Sequence, residues 1–135
     1  MTYKNKTVVL DTNVILSDNE IQILNKFGNS NIVVPFKVLE ELDRLKSRFD
    51  QEGTNARSFI RFLDSLRQRG NLQDGVSISG YSGTLAVKQS AVVDECADNE
   101  IISVAVQEKN NNKDVILISN DINVRVKSSF YNLNT

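Results

Sequence analysis

Two aspartates follow closely on short apolar runs that are typical of buried strands. Asp11 comes directly after the run at 8–10, and Asp121 comes shortly after the run at 115–118. Because ligands of parallel sheets bind beyond the carboxyl ends of the strands, both carboxylates are expected at one crevice. Either aspartate taken singly has the alternative role of a helix N-cap. Their placement at two equivalent strand ends nevertheless indicates a functional site.

The composition narrows the chemistry that such a site can perform. The 135-residue chain has no histidine and 17 acidic residues. This excludes Ser-His-Asp and Cys-His nucleophile systems and histidine-ligated zinc. Carboxylates are ligands that hard divalent ions such as Mg²⁺ and Mn²⁺ prefer. The formal net charge of -1 also argues against nucleic-acid binding through overall positive charge, so any such binding must be local.

A helix from Phe36 offers a third acidic position. Its predicted apolar stripe has spacing i, i+4, i+7, i+11 and consists of Val38, Leu42, Leu45 and Phe49. On this wheel Glu40 points away from the core, whereas Glu41 lies on the flank of the stripe. A flank position can border a cleft, so Glu41 is the candidate and Glu40 is expected in solvent.

Asp98 is the fourth acidic candidate, at the start of a predicted helix. The apolar stripe of that helix is Ile101, Ile102, Ala105 and Val106. Taken alone, Asp98 is better explained as a helix cap. Arg57 and Arg61, one helical turn apart, are candidate RNA contacts, although a charged solvent face is the commoner explanation for such a pair.

The elements that must position these residues alternate between strand and helix. The predicted strands are 6–10, 32–34, 76–79 at an edge, and 115–118. The predicted helices are 19–27, 36–49, 54–69 with Thr54 as N-cap, one from Asp98, and a short one after Asp121. This order predicts an α/β fold, a three-layer α/β/α sandwich with a mainly parallel sheet, formed by residues 1–135 as one domain. The stretch 71–97 is hard to interpret, and no chemistry is assigned to it.

The start of the chain and its single cysteine bear on location. Residues 1–6 are polar, and the first apolar run is too short for a signal-peptide core or a membrane span. Cys96 cannot form an internal disulfide, which fits a reducing compartment. A cytoplasmic protein without membrane association is therefore expected.

Four ordered segments carry a resemblance to a known family. They are Val8-Val9-Leu10-Asp11-Thr12-Asn13, then 33–43 with Glu41 just before Leu42, then Asp98-Asn99-Glu100-Ile101, and finally 117–127 with Ser119-Asn120-Asp121. In this order they resemble the motifs of PIN-domain nucleases, over about nine-tenths of the chain. The likeness is greatest to the PIN domains at the amino terminus of PhoH-like ATPases.

The resemblance implies a metal-dependent endoribonuclease that hydrolyses phosphodiester bonds of single-stranded RNA. It implies one or two Mg²⁺ or Mn²⁺ ions, with Asp11 and Asp98 as principal ligands and Glu41 and Asp121 completing the catalytic, metal-binding set. Asn13 and Ser119 are expected to support these acids from the side. The resemblance also raises the expectation of a PhoH-like ATPase domain in a longer natural chain, and it leaves a homo-oligomer open.

Two other classes of protein compete with this hypothesis. A non-catalytic PIN scaffold that binds RNA or a protein partner would keep the fold, but such scaffolds usually lose one or more of the acids. An aspartyl-phosphate enzyme would also use an aspartate at a strand end. The haloacid-dehalogenase pattern places a second aspartate where this chain has Asn13, which counts against that class.

Overall fold

The computed structural model describes residues 6–111 and 113–135. The polar start predicted at 1–6 lies outside this part of the chain except for Lys6. Within the described residues the chain forms five strands and six helices. In chain order they are β1 (Thr7–Leu10), α1 (Thr12–Ser17), α2 (Glu20–Lys26), β2 (Asn31–Pro35), α3 (Phe36–Leu45), α4 (Gln51–Arg67), β3 (Val76–Ser77), β4 (Thr84–Lys88), α5 (Ala97–Asn110), β5 (Val115–Ile118) and α6 (Ile122–Ser129).

The strands form one sheet in the order β3-β4-β2-β1-β5. All neighbouring pairs are parallel except β3 and β4, so the antiparallel strand lies at an edge. Val8, Val9 and Leu10 of β1 are completely buried. Because successive strand residues point to opposite faces, both faces of β1 must be covered by other elements. The predicted α/β architecture with a mainly parallel sheet is confirmed. None of the helices in the described residues is long and apolar enough to span a membrane.

Two elements of the fold had not been predicted from the sequence. The short helix α1 starts immediately after β1, with Asp11 as its N-cap. Strand β4, which lies inside the sheet between β2 and β3, occupies residues 84–88, where no strand had been expected. Residues 85–87 of β4 are buried, and β4 pairs in parallel with β2. The apolar run of β4 is too short to indicate this pairing from the sequence.

The junction between α3 and α4 corrects two predictions. Helix α4 begins at Gln51 and not after Thr54, because Asp50 is the N-cap and accepts a hydrogen bond from the Gly53 amide at 3.0 Å. Helix α3 ends at Leu45, so Phe49 is not in its apolar stripe and is fully exposed. A β-carbon on Gly53 would lie 2.1 Å from the carbonyl oxygen of Arg48. This close approach explains why a glycine is found inside the first turn of α4.

Tyr81 holds the segment before β4 against the turn that precedes β2. Its hydroxyl oxygen lies 2.5 Å from the carbonyl oxygen of Phe27 and 2.7 Å from that of Ser30, and its one proton is shared between these two acceptors. Burial raises the pKa of the Tyr81 phenol above its ordinary value of 10.0. These contacts fix the side of the sheet away from the acidic residues.

Candidate active site

Asp11 is held in place on both of its carboxylate oxygens. It is buried at the carboxyl end of β1, with 5% of its surface exposed. Oδ1 accepts a hydrogen bond from the Thr12 amide at 2.7 Å, and Oδ2 accepts one from the Ser119 hydroxyl at 2.5 Å. The Asp11 amide donates to the carbonyl oxygen of Ile118 at 2.9 Å, which joins the ends of β1 and β5. The carboxylate therefore has a fixed orientation at the edge of the sheet.

Ser119 connects Asp11 to Asp121. The parallel register pairs Leu10 with Ile118, so the next residues, Asp11 and Ser119, are neighbours. The Ser119 hydroxyl donates to Asp11 and also accepts a hydrogen bond from the Asp121 amide at 3.0 Å. Asp121 in turn caps α6. The two strand-end aspartates are thus brought together, as their sequence positions predict, and each of them also caps a helix.

Glu41 is joined to the carboxyl edge of the sheet by a hydrogen bond with Thr12, the residue after Asp11. The buried Thr12 hydroxyl donates a short hydrogen bond to Oε1 of Glu41. Glu40 is exposed, and its carboxylate lies 4.0 Å from the ammonium of Lys37. The orientation of α3 therefore agrees with the predicted wheel. Sequence reasoning did not assign a role to Thr12, although its place between Asp11 and Asn13 was an available signal.

Asp98 does not cap its helix. The N-cap of α5 is Cys96, and Asp98 lies inside the first turn, half-buried. Burial raises the pKa of the Asp98 carboxyl above its ordinary value of 3.8. The negative charges of Asp121 and Asp11 raise this pKa further, whereas the ammonium of Lys127 lowers it. These influences require Asp98 to lie near both strand-end aspartates, so the acids of three separate segments share one edge of the sheet.

The supporting residues and candidate RNA contacts have different surroundings. The Asn13 side chain is exposed on the first turn of α1. The Arg57 guanidinium donates to the carbonyl oxygens of Lys46 at 2.6 Å and Arg48 at 2.9 Å, beyond the end of α3. Arg61 is exposed on α4. The RNA-contact role of both arginines stays a prediction, and the bonds of Arg57 give it a structural role of its own.

The donor set has the chemistry of a site for a hard divalent ion. The candidates are all carboxylates, and the neighbouring Ser119 and Thr12 add hydroxyl oxygens. As the side chains stand, no three His, Cys, Asp or Glu residues within 6–111 and 113–135 are placed to enclose one ion. An ion would therefore have to draw at least one carboxylate inward. Burial, and after it the charges of Asp121 and Asp11, raise the pKa of Asp98, so a nearby cation would stabilise its charged form.

Comparison with known proteins identifies the class. A family model described as PIN domain matches residues 8–135. The chain therefore belongs to the PIN-domain family, whose members are generally nucleases and usually use divalent metal ions.

Curated relatives extend the comparison. The chain is 36% identical over 138 residues to Protein PhoH2 of Bacillus subtilis (strain 168), covering 91% of this chain and 30% of that protein. It is 32% identical to Protein PhoH2 of Mycolicibacterium smegmatis, covering 91% of this chain and 30% of that protein. The chain thus spans less than a third of the length of these relatives.

A solved structure supports the fold. A domain of a functionally unknown protein from Methanocaldococcus jannaschii DSM 2661 superposes with a TM-score of 0.58, covering 96% of this chain and 88% of that domain. At 17% sequence identity, this likeness is evidence for the shared fold alone.

Proposed function

We propose that this chain is a metal-dependent endoribonuclease that hydrolyses phosphodiester bonds of single-stranded RNA. The observation that carries the proposal is the convergence of Asp11, Asp98 and Asp121 at one sheet edge, with Glu41 joined to that edge through Thr12. Gathered carboxylates repel one another, and a cation relieves the repulsion. Membership of a family that generally consists of nucleases supports the same function.

In this proposal the four acids hold one or two Mg²⁺ or Mn²⁺ ions, with Asp11 and Asp98 as principal ligands. A bound ion supplies positive charge for the phosphate and lowers the pKa of water. Hydrogen bonds from the Thr12 amide and the Ser119 hydroxyl fix the orientation of the Asp11 carboxylate, so this side chain needs little reorganisation when substrate binds. Asp121 uses Oδ1 to cap α6 by accepting from the Asn123 amide, which leaves Oδ2 to accept a proton from the attacking water.

The bond changes are those of a simple hydrolysis. Water attacks phosphorus in line with the bond to the 3′ oxygen, that bond breaks, and the departing 3′ oxygen takes up a proton from solvent water. The products are a 3′ hydroxyl and a 5′ phosphate, and no covalent bond to the enzyme forms. Glu41 orients the water and Asp121 receives its proton, while Asn13 and Ser119 support the acids from the side.

The longer relatives suggest the setting of this activity. We propose that the domain works in the cytoplasm beside a PhoH-like ATPase domain, because the PhoH2 proteins it matches are more than three times its length. A partner domain of that kind would deliver single-stranded RNA to the acidic edge.

Cleavage of a labelled, unstructured RNA tests the activity. The protein should cut with Mg²⁺ or Mn²⁺ and stop cutting with EDTA, and Asp11→Asn should abolish cleavage. Asparagine caps helices as well as aspartate does, so this variant should keep its fold. Asp18→Asn, at an acid paired with Lys26 at 3.1 Å, is the matched control and should cut normally. RNA binding without cleavage by the unaltered protein would instead support the non-catalytic scaffold.

A further inference from the structure

We propose that Lys127 binds a phosphate of the RNA backbone next to the phosphate that is cut, in a subsite on the first turn of α5. This inference rests on the proposed function and adds to it a residue that holds the substrate. Arg57 and Arg61, the candidate RNA contacts from the sequence, lie on a different helix, α4.

The position of the lysine is defined by two neutral neighbours. The Lys127 ammonium lies 3.3 Å from Oδ1 of Asn99 and 3.6 Å from the sulfur of Cys96. Asn99 directly follows Asp98, and the lysine is close enough to Asp98 to lower the pKa of that carboxyl. The half-buried ammonium therefore stands at the border of the acidic edge, where a backbone phosphate beside the reacting one would pass.

The charge of Lys127 is not neutralised by a direct ion pair. Among the residues that the structure describes, no carboxylate oxygen lies within 4.0 Å of its nitrogen. Lysines elsewhere in the chain do have such partners, namely Lys6, Lys26, Lys37, Lys46 and Lys113. An ammonium group has three donors, and its two neutral acceptors leave one for a ligand. An anionic oxygen is the ligand that suits it best.

The helix beneath the ammonium also favours an anion. Lys127 lies beside the N-terminal turn of the 14-residue helix α5, and the dipole of a helix disfavours a cation at that end. The nearby acids offset this cost in part. When metal ions neutralise those acids, the ammonium and the helix end both present positive charge to the same space. A phosphate is the substrate group that satisfies both.

Lys37, on the neighbouring helix α3, is less suited to this role. The cleft beyond the ends of β2 and β4 is lined by the acids Glu40, Asp94, Glu95 and Glu100. Its lysine, Lys37, is 3.8 Å from Glu100 and 4.0 Å from Glu40, so it is already paired. That cleft repels phosphate, so Lys37 is not the cation that binds the backbone there.

The salt dependence of RNA binding tests the subsite. We would measure fluorescence anisotropy of a labelled single-stranded RNA with the uncleaving Asp11→Asn protein, with and without Lys127→Met, in Mn²⁺. The added substitution should weaken binding about tenfold, as expected for one charge-assisted hydrogen bond. The slope of log K against log salt should become shallower by about 0.7, the value for one phosphate contact on a single strand. Lys127→Arg should keep most of the binding affinity and most of the salt slope.

A second lysine of the same helix pair provides the control. Lys109, at the far end of α5, contacts the carbonyl oxygen of Asn132, and Lys109→Met should change neither affinity nor slope. In the cleaving protein, Lys127→Met should raise KM and leave kcat within about twofold.

An unchanged salt slope, or a fall in kcat with KM unchanged, would overturn the subsite. If the unaltered protein binds RNA without cutting it, the proposed activity fails while the anisotropy comparison still tests Lys127. If it cuts RNA but Lys127→Met keeps the full slope, only the subsite fails.

Discussion

Replacing Asp98 by asparagine removes one negative charge from the acidic edge without removing a helix cap. The N-cap of α5 is Cys96, and Asp98 lies in the first turn behind it. The raised pKa of Asp98 arises from burial and from the charges of Asp121 and Asp11, and Lys127 opposes these effects only in part. The charged carboxylate therefore destabilises the metal-free fold, and Asp98→Asn should be the more stable protein in EDTA at neutral pH.

The size of this effect follows from the number of neighbours. Like-charged pairs near a surface cost about 0.3–0.5 kcal/mol each. Burial of the carboxyl and two such pairs outweigh the attraction of Lys127 and of the positive end of the α5 dipole, since the net pKa is raised, and give a gain for Asp98→Asn on the order of 0.5 kcal/mol in free energy of unfolding. In a chain of 135 residues this raises Tm by about 2 °C.

Metal ions should reverse the order of the two proteins. At a Mn²⁺ concentration of one hundred times its Kd, the unaltered protein gains about 2.7 kcal/mol. If the loss of Asp98 weakens affinity about a hundredfold, the variant gains only about 0.4 kcal/mol at the same concentration. These gains correspond to Tm increases of about 10 °C and about 1.5 °C.

Thermal melts of both proteins in EDTA and in Mn²⁺ provide the assay. Glu95→Gln, at an exposed acid of the same segment, is the matched control and should show the full response to Mn²⁺. An undiminished Mn²⁺ shift in Asp98→Asn would remove Asp98 from the site. Equal or lower stability of that variant in EDTA would refute the repulsion inferred from its pKa.

Three further substitutions test the local structure. Glu41→Gln should lose far more RNA cleavage than Glu40→Gln in the same assay, and equal losses would contradict the orientation of α3. Gly53→Ala should lower the free energy of unfolding by about 2 kcal/mol in urea melts, because its β-carbon would meet the Arg48 carbonyl, and an unchanged midpoint would be evidence against this close approach. Tyr81→Phe should lower stability by about 1 kcal/mol at neutral pH. Because the folded-state pKa of Tyr81 is raised, the stabilisation by its phenol is complete below its ordinary value of 10.0 and is lost as pH rises further, so the two proteins should converge in alkaline melts.

The parts of the site that sequence predicted are those set by short-range periodicity. Asp11 and Asp121 follow runs of apolar residues, and the sheet register then makes Asp11 and Ser119 neighbours. The position of Glu41 followed from the spacing of Val38 and Leu42, which are both completely buried. These features need only the period of a strand or a helix and the rule for parallel strand ends.

The features that sequence could not predict depend on distant partners. Strand β4 is short, and its place inside the sheet comes from pairing with β2. Helix α1 has six residues, too few to be stable without tertiary packing. The Arg57 side chain bonds to the carbonyl oxygens of Lys46 and Arg48, which are 11 and 9 residues away in the chain. No local sequence pattern indicates these bonds.

The start of α4 shows how two nearby capping residues compete. Thr54 and Asp50 are both acceptable N-caps, and sequence alone favoured the threonine that follows Gly53. In the fold, Asp50 accepts from the Gly53 amide and also pairs with Arg48. The backbone bond to Gly53, together with the Arg48 charge, lowers the pKa of Asp50 from its ordinary value of 3.8.

The central claim is that the acids of separate segments hold divalent metal at the carboxyl edge of the sheet. Anomalous diffraction from crystals soaked in Mn²⁺ tests this claim most directly. We expect a Mn²⁺ peak in contact with carboxylate oxygens of both Asp11 and Asp98. A well-ordered structure at saturating Mn²⁺ with no peak between these two residues, or with Mn²⁺ bound only elsewhere, would contradict it.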